Sequence, residues 1–377
     1  MPKDIHRRWL WLPPAAIILL PLILLGPAWL RWRARPASPF RIGILDKTVP
    51  HPDRREHASL TWVLNHARAP AESGSAWDAA IDYLGYRPET REGERVTAQW
   101  LAGKTLVYVA DTYGVYRGDD STAGHGITAL DYSERIYGGL ETDEVALFES
   151  FVKGGGALIA EFNSFASPTA GEARKRLQDL LGLDWSGWSG RWFADLADEG
   201  EVPAWARRFW RHHHGAEWSF RGPGYLLAHE DTRLEVLREG TDLEGHGLWL
   251  QAEEPRDALL SRGAERLPFR YWFDLVSARP GTEVLARYHW QLLPAGAAVL
   301  RHAGLPESSP AILRASRAPL RLYFAGDFAD NQLRRGPYWL AGWPELMRWL
   351  AYDEDDAGAA PFYWGFYVPM MRELLGR

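Results

Sequence analysis

Residues 140–169, LETDEVALFESFVKGGGALIAEFNSFASPT, contain the pattern that decides the fold. Apolar residues such as Val145 and Phe148 recur at helical spacing, so the first part of the stretch predicts a helix with one apolar face. The three glycines at 154–156 end this helix, because glycine adopts the left-handed cap conformation without strain. The run ALIA at 157–160 is too short for a helix and predicts a buried strand. A helix, a tight stop and a buried strand in this order are typical of an α/β protein.

Two polar residues, Glu161 and Asn163, directly follow the predicted strand. In an open α/β sheet, ligands bind outside the carboxyl ends of the strands. The position of these residues therefore matches that of a binding site. A loop without any ligand would have the same sequence character, so both interpretations stay open.

The composition is that of a globular protein, with 46 % hydrophobic and 24 % charged residues in a chain of 377. The formal net charge of −6 gives no support for nucleic-acid binding. Because the chain has no cysteine, disulfides, thiolate metal sites and a cysteine nucleophile are excluded.

The amino-terminal region predicts a membrane anchor. A basic tail, residues 1–8, precedes the uncharged stretch 9–30, which as a helix would be about 33 Å long and could cross a hydrocarbon core of about 30 Å. Trp9 and Trp29 near its ends resemble interfacial anchors. We therefore expect a single transmembrane helix, a linker at 31–39 and a large domain on the extracytoplasmic, periplasmic side. The membrane is the expected partner.

The rest of the chain predicts one α/β domain, residues 40–351. Four apolar runs predict the strands of a flavodoxin-like parallel sheet with helices on both faces: 40–45, 105–110, 157–160 and 320–325. Shorter alternating runs at about 183–318 predict a β-rich insertion or extension. The apolar tail, 352–377, is interrupted by polar residues and is expected to dock on the body.

Carboxylates stand at or just after the ends of all four predicted strands: Asp46, Asp111, Glu161 and Asp327. If the strands are parallel, these side chains share one edge of the sheet. Like charges in close proximity raise at least one pKa, which produces a usable acid and base pair. Glu161 and Asp111 are the candidate catalytic pair. The candidate ligand-binding residues are Asp46, Tyr113, Asn163, Arg191 and Asp327. Alternatively, Arg191 and Lys47 neutralise the carboxylates in structural ion pairs.

Other motifs indicate neither a metal nor a cofactor. Adjacent residues on a helix point about 100° apart, so the run 212–214 of three histidines cannot converge on one metal. Asp53 and Glu56 form the D-x-x-E pattern of a capping box. His57 lies near the apolar stripe of the helix that follows, where a structural and a catalytic role are both open.

Several aromatic residues stand in a stretch rich in glycine and serine: Trp185, Trp188 and Trp192. Indole rings stack on the apolar faces of sugars while carboxylates and amides bind the hydroxyl groups. These rings can equally pack locally beneath their own loop.

At ALFESFVKGGGALIAEFN, residues 146–163, the chain resembles the class I glutamine amidotransferase-like superfamily. The likeness is to its non-amidotransferase members, which include trehalose-utilisation-like proteins and the middle domains of some β-galactosidases. The strands FRIGIL and TLVYVAD fit the same sheet, and the likeness covers about 40–181 and the last strand near Tyr323. The resemblance implies a flavodoxin-like fold. Glutamine hydrolysis is not expected, because Glu161, Phe162 and Asn163 occupy the elbow where an amidotransferase has its cysteine.

Two functions follow as hypotheses. In the first, a membrane-anchored amidotransferase-like domain without amidotransferase chemistry binds a cell-envelope ligand, such as a glycan, or a partner protein. In the second, Glu161 and Asp111 act as the acid and base of a hydrolase that cleaves glycosidic bonds. Carboxyl groups about 5–10 Å apart in an open cleft would favour the hydrolase. Carboxylates buried against arginine would favour binding or a structural role.

Overall fold

The computed structural model describes residues 25–117, 134–331, 333, 335–351 and 358–376. Strands lie at Ile42–Asp46 (β1), Leu84–Arg87 (β2), Glu92–Gly93 (β3), Leu106–Asp111 (β4), Val115–Tyr116 (β5), Arg135–Tyr137 (β6), Ala157–Ala160 (β7), Leu183–Phe193 (β8), Gly224–His229 (β9), Leu234–Arg238 (β10), Leu243–Ala252 (β11), Arg266–Pro268 (β12), Phe273–Ala278 (β13), Glu283–Leu292 (β14), Ser308–Arg317 (β15) and Leu320–Phe324 (β16). Helices lie at 25–33 (α1), Arg55–His66 (α2), Ala98–Leu101 (α3), Thr142–Lys153 (α4), Gly171–Leu181 (α5), Ala204–His214 (α6), Pro294–Ala303 (α7), Trp343–Leu350 (α8), Ala359–Phe362 (α9) and Val368–Leu375 (α10). A 3-10 turn at Ala258–Leu260 and a π-helical turn at Tyr363–Tyr367 complete these elements.

The centre of the molecule is a ten-stranded sheet in the order β12-β11-β14-β15-β16-β7-β4-β1-β2-β3. The neighbours from β16 through β7, β4 and β1 to β2 are parallel. The neighbours from β12 through β11, β14 and β15 to β16 are antiparallel. The prediction of a parallel sheet is therefore wrong, because the sheet is mixed and its two halves meet at β16. All four strands predicted from the apolar runs lie in the parallel half.

The β-rich region 183–318 explains the mixed character of the sheet. Strands β11, β12, β14 and β15 extend the central sheet as antiparallel neighbours. The others form a second, antiparallel sheet in the order β10-β9-β8-β13. A bridge between Phe273 of β13 and Gly326, just after β16, joins the second sheet to the central one.

Helices flank the parallel half of the sheet as predicted. The chain moves from β1 to β2 in one direction and from β4 to β7 in the other. Right-handed crossovers therefore place α2 on one face and α4 on the opposite face. In agreement, α2 packs against α10, whereas α4 packs against α5. The apolar stripe of α4 is buried on the sheet through Val145, Phe148 and Val152.

The carboxyl-terminal tail is part of this packing. Its aromatic residues, including Trp364 and Phe366, are fully buried. The hydroxyl group of Tyr363 donates to the Ser59 carbonyl at 2.9 Å, and the hydroxyl groups of Tyr367 and Tyr108 lie 3.2 Å apart. The tail is thus fixed to both α2 and β4.

The prediction of a transmembrane helix needs correction. Across the described parts of the chain, no helix combines the length and the apolar content that crossing a membrane requires. Residues 25–30 of the predicted span are helical, and the helix continues to residue 33. Residues 1–24 of the chain lie outside the described residues.

Candidate functional site

The carboxyl ends of β1, β4, β7 and β16 meet at one edge of the sheet. This edge carries the four predicted carboxylates, Asp46, Asp111, Glu161 and Asp327, and each of these residues is no more than 6 % exposed. Buried carboxylates need compensating contacts, because removing charge from water is costly. The contacts of each one therefore indicate what it can do.

Asp111 holds together three loops at this edge. One of its oxygens accepts hydrogen bonds from the Thr48 hydroxyl group and from the backbone N–H of Tyr113 at 2.6 Å. The side-chain amide of Asn163 donates to the other oxygen at 3.2 Å. Burial raises the pKa of Asp111 to about 7, despite these hydrogen bonds. Asp111 can therefore exchange a proton near neutral pH.

Glu161 is fully buried, and both of its oxygens are hydrogen bonded. The Tyr108 hydroxyl group donates to one oxygen, and the backbone N–H groups of Phe328 and Ala329 each donate to the other at 3.1 Å. Burial raises the pKa of Glu161 to about 8. These contacts favour a structural role in fixing the turn after β16, and a catalytic role of Glu161 stays a prediction.

Asp46 is paired with a histidine. Its Oδ2 atom lies 2.5 Å from Nδ1 of His57, and the other ring nitrogen of His57 lies 2.9 Å from the Ala79 carbonyl. Both side chains are fully buried. Of the two roles that the sequence leaves open for His57, these contacts favour the structural one.

Three carboxylates come together beside this group, from Glu56, Asp327 and Asp330. One oxygen of each lies within 4.8 Å of the others. The Nε atom of Arg55 lies 3.0 Å from both carboxylate oxygens of Asp330 and 3.4 Å from Glu56. One guanidinium group therefore faces three carboxyl groups, and the cluster has an excess of negative charge when all three are ionised. We call these three residues the carboxylate triad.

Asp327 is the least compensated member of the triad. It is 6 % exposed, and its side chain has no hydrogen-bond or ion-pair partner among the residues that the structure describes. Burial, and next the charge of Asp330, raise the pKa of Asp327 well above its usual range. Burial likewise raises the pKa of Glu56.

The triad fits the coordination chemistry of a hard divalent cation. Ca²⁺ binds carboxylate oxygens at about 2.3–2.6 Å, so two ligands on opposite sides of the ion are separated by roughly 5 Å. The spacing within the triad is compatible with that separation. The sequence reasoning, which predicted no metal ligands, did not identify this set.

Glu56 was missed because its sequence pattern predicts a capping box. Instead, the N-cap of α2 is Arg54, which has a left-handed backbone and no side-chain capping bond. Glu56 therefore does not take part in a capping box, and its carboxylate lies close to those of Asp327 and Asp330. Asp330 was missed because it lies in a loop three residues beyond the strand-end position of Asp327.

The remaining predicted residues differ in their contacts. Arg191 stacks over the rings of Phe193 and Trp272, at 4.9 and 5.9 Å from their centroids. Burial lowers the pKa of Arg191, whereas the charge of Glu201, and after it those of Asp330 and Asp327, act to raise it.

Tyr113 contributes its backbone N–H to Asp111, and its ring centroid lies 5.0 Å from that of Tyr116. Asn163 has a positive φ of 68° and forms the elbow after β7. Asparagine tolerates this left-handed conformation better than most residues with a side chain.

The tryptophans of β8 pack locally. The indole N–H of Trp185 donates to the Trp188 carbonyl at 3.2 Å, and that of Trp192 donates to Glu239 at 2.7 Å. The backbone carbonyl of Trp272 accepts the backbone N–H of Asp327 at 2.9 Å. The half-buried ring of Trp272 stacks on Phe162 at 6.0 Å.

No protein-family model and no curated protein sequence matches the chain. Several solved structures are similar. A protein described as ThuA-like from Parabacteroides merdae has 10 % identity and a TM-score of 0.36, with 76 % of this chain and 79 % of that chain covered. A protein described as ThuA-like from Bacteroides uniformis has 9 % identity and a TM-score of 0.36, with coverage of 86 % and 96 %.

The β-galactosidase from Rahnella sp. R3 has 14 % identity and a TM-score of 0.31. It covers 77 % of this chain, which spans 29 % of the enzyme. ThuA-like (trehalose utilisation) proteins belong to the class I glutamine amidotransferase-like superfamily, which is the superfamily that the sequence resembles. Because the TM-scores are below 0.5, membership of this chain in that superfamily stays a prediction.

Proposed function

We propose that this chain is a binding domain of amidotransferase-like fold without amidotransferase chemistry. Its site is the carboxylate triad of Glu56, Asp327 and Asp330. A divalent cation held there binds a polyhydroxylated ligand, such as a glycan, through its oxygen atoms.

The observation that carries this proposal is the environment of Asp327. A buried carboxylate without a partner is costly, and two further carboxylates within 4.8 Å increase the cost. A divalent cation would remove this cost, because it neutralises the excess charge that Arg55 leaves and occupies the free oxygen of Asp327. Carboxylate oxygens are the ligands that Ca²⁺ and Mg²⁺ prefer.

The surroundings of the triad favour a glycan as the ligand. Trp272 is hydrogen bonded to Asp327 through the backbone and has a half-buried indole ring, and Arg191 lies over that ring with a guanidinium group that can donate hydrogen bonds. An aromatic face together with charged donors and acceptors is the combination that binds sugar hydroxyl groups and the apolar face of the ring. By the criterion set from the sequence, the contacts of Arg55 with the buried carboxylates of Asp330 and Glu56 favour binding or a structural role over hydrolysis.

Calorimetric titration of the purified full-length chain with Ca²⁺, and separately with Mg²⁺, tests the cation. We expect saturable binding of one ion per chain and at least tenfold weaker binding by Asp327→Asn. Asp143→Asn, the same change at an exposed position, is the matched control and should bind as the unaltered chain does. The absence of saturable binding, or equal binding by Asp327→Asn, contradicts the proposal.

Binding measurements with a panel of glycans test the proposed polyhydroxylated ligand. Binding should require the cation and disappear with a chelator, and Trp272→Ala should weaken it without changing the affinity for the cation. Glycan binding that is insensitive to the chelator would place the sugar elsewhere.

One observation favours a second candidate function. The pKa of Asp111 is raised to about 7, which is suitable for a general acid or base. In a carboxylate-dependent hydrolase, Asp111 would transfer the proton, and Asp111→Asn would abolish turnover of a glycoside substrate. Turnover that survives this substitution would remove the hydrolase from consideration.

A further inference from the structure

Helix α8, of sequence WPELMRWL, leaves an apolar face uncovered within the described part of the chain. Leu346, Trp349 and Leu350 are 45 %, 73 % and 61 % exposed. Single exposed apolar residues are common, but three on one helix of eight residues, Trp343–Leu350, form a ridge. We call Leu346, Trp349 and Leu350 the α8 ridge.

Helix α1 adds to this surface. The backbone N–H of Ala341, just before α8, donates to the Ala28 carbonyl of α1 at 3.1 Å. The rings of Trp32 in α1 and Tyr338 are in edge contact, with centroids 5.9 Å apart. The exposed apolar residues on this side of the molecule are Leu25, Trp29, Leu30 and Trp339. The α8 ridge is therefore continued by an adjoining helix.

A basic cavity lies beside the ridge, at the amino end of β1 and away from the triad. It has a volume of about 650 Å³ and is formed by the segment 35–38, the end of α2, α8 and α10. The charged side chains that line it are Arg35, Arg262, Arg348, Arg372 and Glu345. Positive charge thus predominates here, although the whole chain carries a net charge of −6.

Two of these arginines have no carboxylate partner among the described residues. The Arg35 guanidinium contacts Nε2 of His66 at 3.3 Å, and Arg348 donates to the Arg262 carbonyl at 2.7 Å. Nδ1 of His66 faces the Tyr338 carbonyl at 2.7 Å, so that nitrogen carries the hydrogen and Nε2 is left as an acceptor for Arg35. The arginines here can therefore bind an external anion.

We propose that α1, α8 and this arginine cavity form a surface that docks on a bilayer containing anionic lipids. The α8 ridge enters the boundary between headgroups and acyl chains, and the arginines bind headgroup phosphates. Tryptophan and leucine beside arginine is the arrangement of interfacial membrane helices. Guanidinium groups bind phosphate in a bidentate manner. A surface of this kind needs no spanning helix, and it does not depend on the function proposed for the triad.

The charge pattern identifies the bilayer as the occupant. An apolar ridge alone would fit a protein groove equally well. Arg35 and Arg348, which have no carboxylate partner among the described residues, instead match an anionic surface, where each basic residue near the membrane contributes favourably.

Because the chain has no cysteine, one introduced cysteine can be labelled uniquely. The full-length variant Leu346→Cys is labelled with an environment-sensitive fluorophore. The labelled protein is then mixed with vesicles of phosphatidylcholine alone, or with vesicles of phosphatidylcholine and phosphatidylglycerol in equal amounts. We expect a blue shift and increased emission with the anionic vesicles only, reversed by high salt. The same label at Asp143→Cys, an exposed position on α4, is the control and should not respond.

The fluorophore reports on the surroundings of residue 346. In the labelled chain, Arg348→Gln should weaken the response about fivefold or more, and the double change Trp349→Ser and Leu350→Ser should abolish it. Unchanged thermal unfolding of these variants shows that they are folded. No response at Leu346→Cys, an equal response with uncharged vesicles, or a response insensitive to Arg348→Gln would overturn the proposal. If inorganic phosphate binds to the protein and vesicles cause no shift in the emission of the label, the cavity binds a soluble anion and the proposal is overturned.

Discussion

The Nζ atom of Lys47 lies 2.8 Å from a carboxylate oxygen of Glu144, and both side chains are withdrawn from solvent. The same ammonium group donates to the Gly139 carbonyl at 2.7 Å. This buried pair connects the end of β1 to the first turn of α4. It also takes Lys47 away from the carboxylates at the sheet edge, so their compensation is left to hydrogen bonds, His57 and Arg55.

Breaking this pair should destabilise the protein strongly. We expect Glu144→Gln to lower the free energy of unfolding by about 3–5 kcal/mol, because an ammonium group is left buried without its counter-ion. Urea unfolding measures the change. The matched control is Glu149→Gln in the more exposed pair with Arg176, which should cost less than about 1 kcal/mol. A small effect at Glu144 would mean that water reaches Lys47.

The stability difference between Glu161→Gln and the unaltered chain should depend on pH. Burial raises the pKa of Glu161 to about 8, so the folded state holds a proton that the unfolded state has already released. Below the unfolded pKa near 4.5, this group does not reduce the free energy of unfolding. As pH rises from there toward 8, it reduces the free energy of unfolding progressively.

Glutamine can accept from the same two backbone N–H groups and carries no charge. The variant should therefore gain relative stability by up to about 1.4 kcal/mol per unit between pH 6 and 8. Unfolding curves at a series of pH values test this expectation. A constant difference over that range would show that Glu161 is ionised throughout.

The strand β7 should be central to stability. Ile159 is fully buried in it, and Ile159→Ala should cost about 2–5 kcal/mol through lost burial and the cavity left behind. Ile81→Ala, the same truncation at a residue that is 61 % exposed, should cost less than about 0.5 kcal/mol. Chemical unfolding compares the two, and a loss under about 1 kcal/mol at Ile159 would mean that β7 is not central.

The elbow at Asn163 allows strain to be separated from hydrogen bonding. Asn163→Gly keeps the positive φ of 68° but loses the contact to Asp111, whereas Asn163→Ala loses that contact and adds backbone strain. We expect the alanine variant to be less stable than the glycine variant by about 1 kcal/mol, as measured by thermal unfolding. Equal stabilities would indicate that the elbow relaxes when the amide is removed.

Much of the fold could be predicted from short apolar runs. The runs at 40–45, 105–110, 157–160 and 320–325 correspond to β1, β4, β7 and β16. These four strands run parallel to one another, as predicted, because helices connect β1 to β2 and β4 to β7. The direction of β11, β12, β14 and β15 could not be predicted, since periodicity identifies a strand but does not say whether it extends the same sheet.

The site could be predicted only in part. Strand ends converge by topology, so the position of Asp46, Asp111, Glu161 and Asp327 at one edge of the sheet could be predicted from the sequence. Glu56 and Asp330 reach the same region through tertiary packing of α2 against the loop after β16, which no local pattern records. No sequence pattern indicates that the guanidinium group of Arg191 stacks over Trp272.

The location of β16 has a consequence for synthesis. This strand lies between β7 and β15 and is made long after β7 leaves the ribosome. Until then, β7 exposes an unpaired strand edge, and such edges attract other chains. The nascent protein therefore needs protection at that edge, and its long-range pairing predicts slow folding. Chains that terminate before residue 320 should aggregate instead of forming a smaller stable unit.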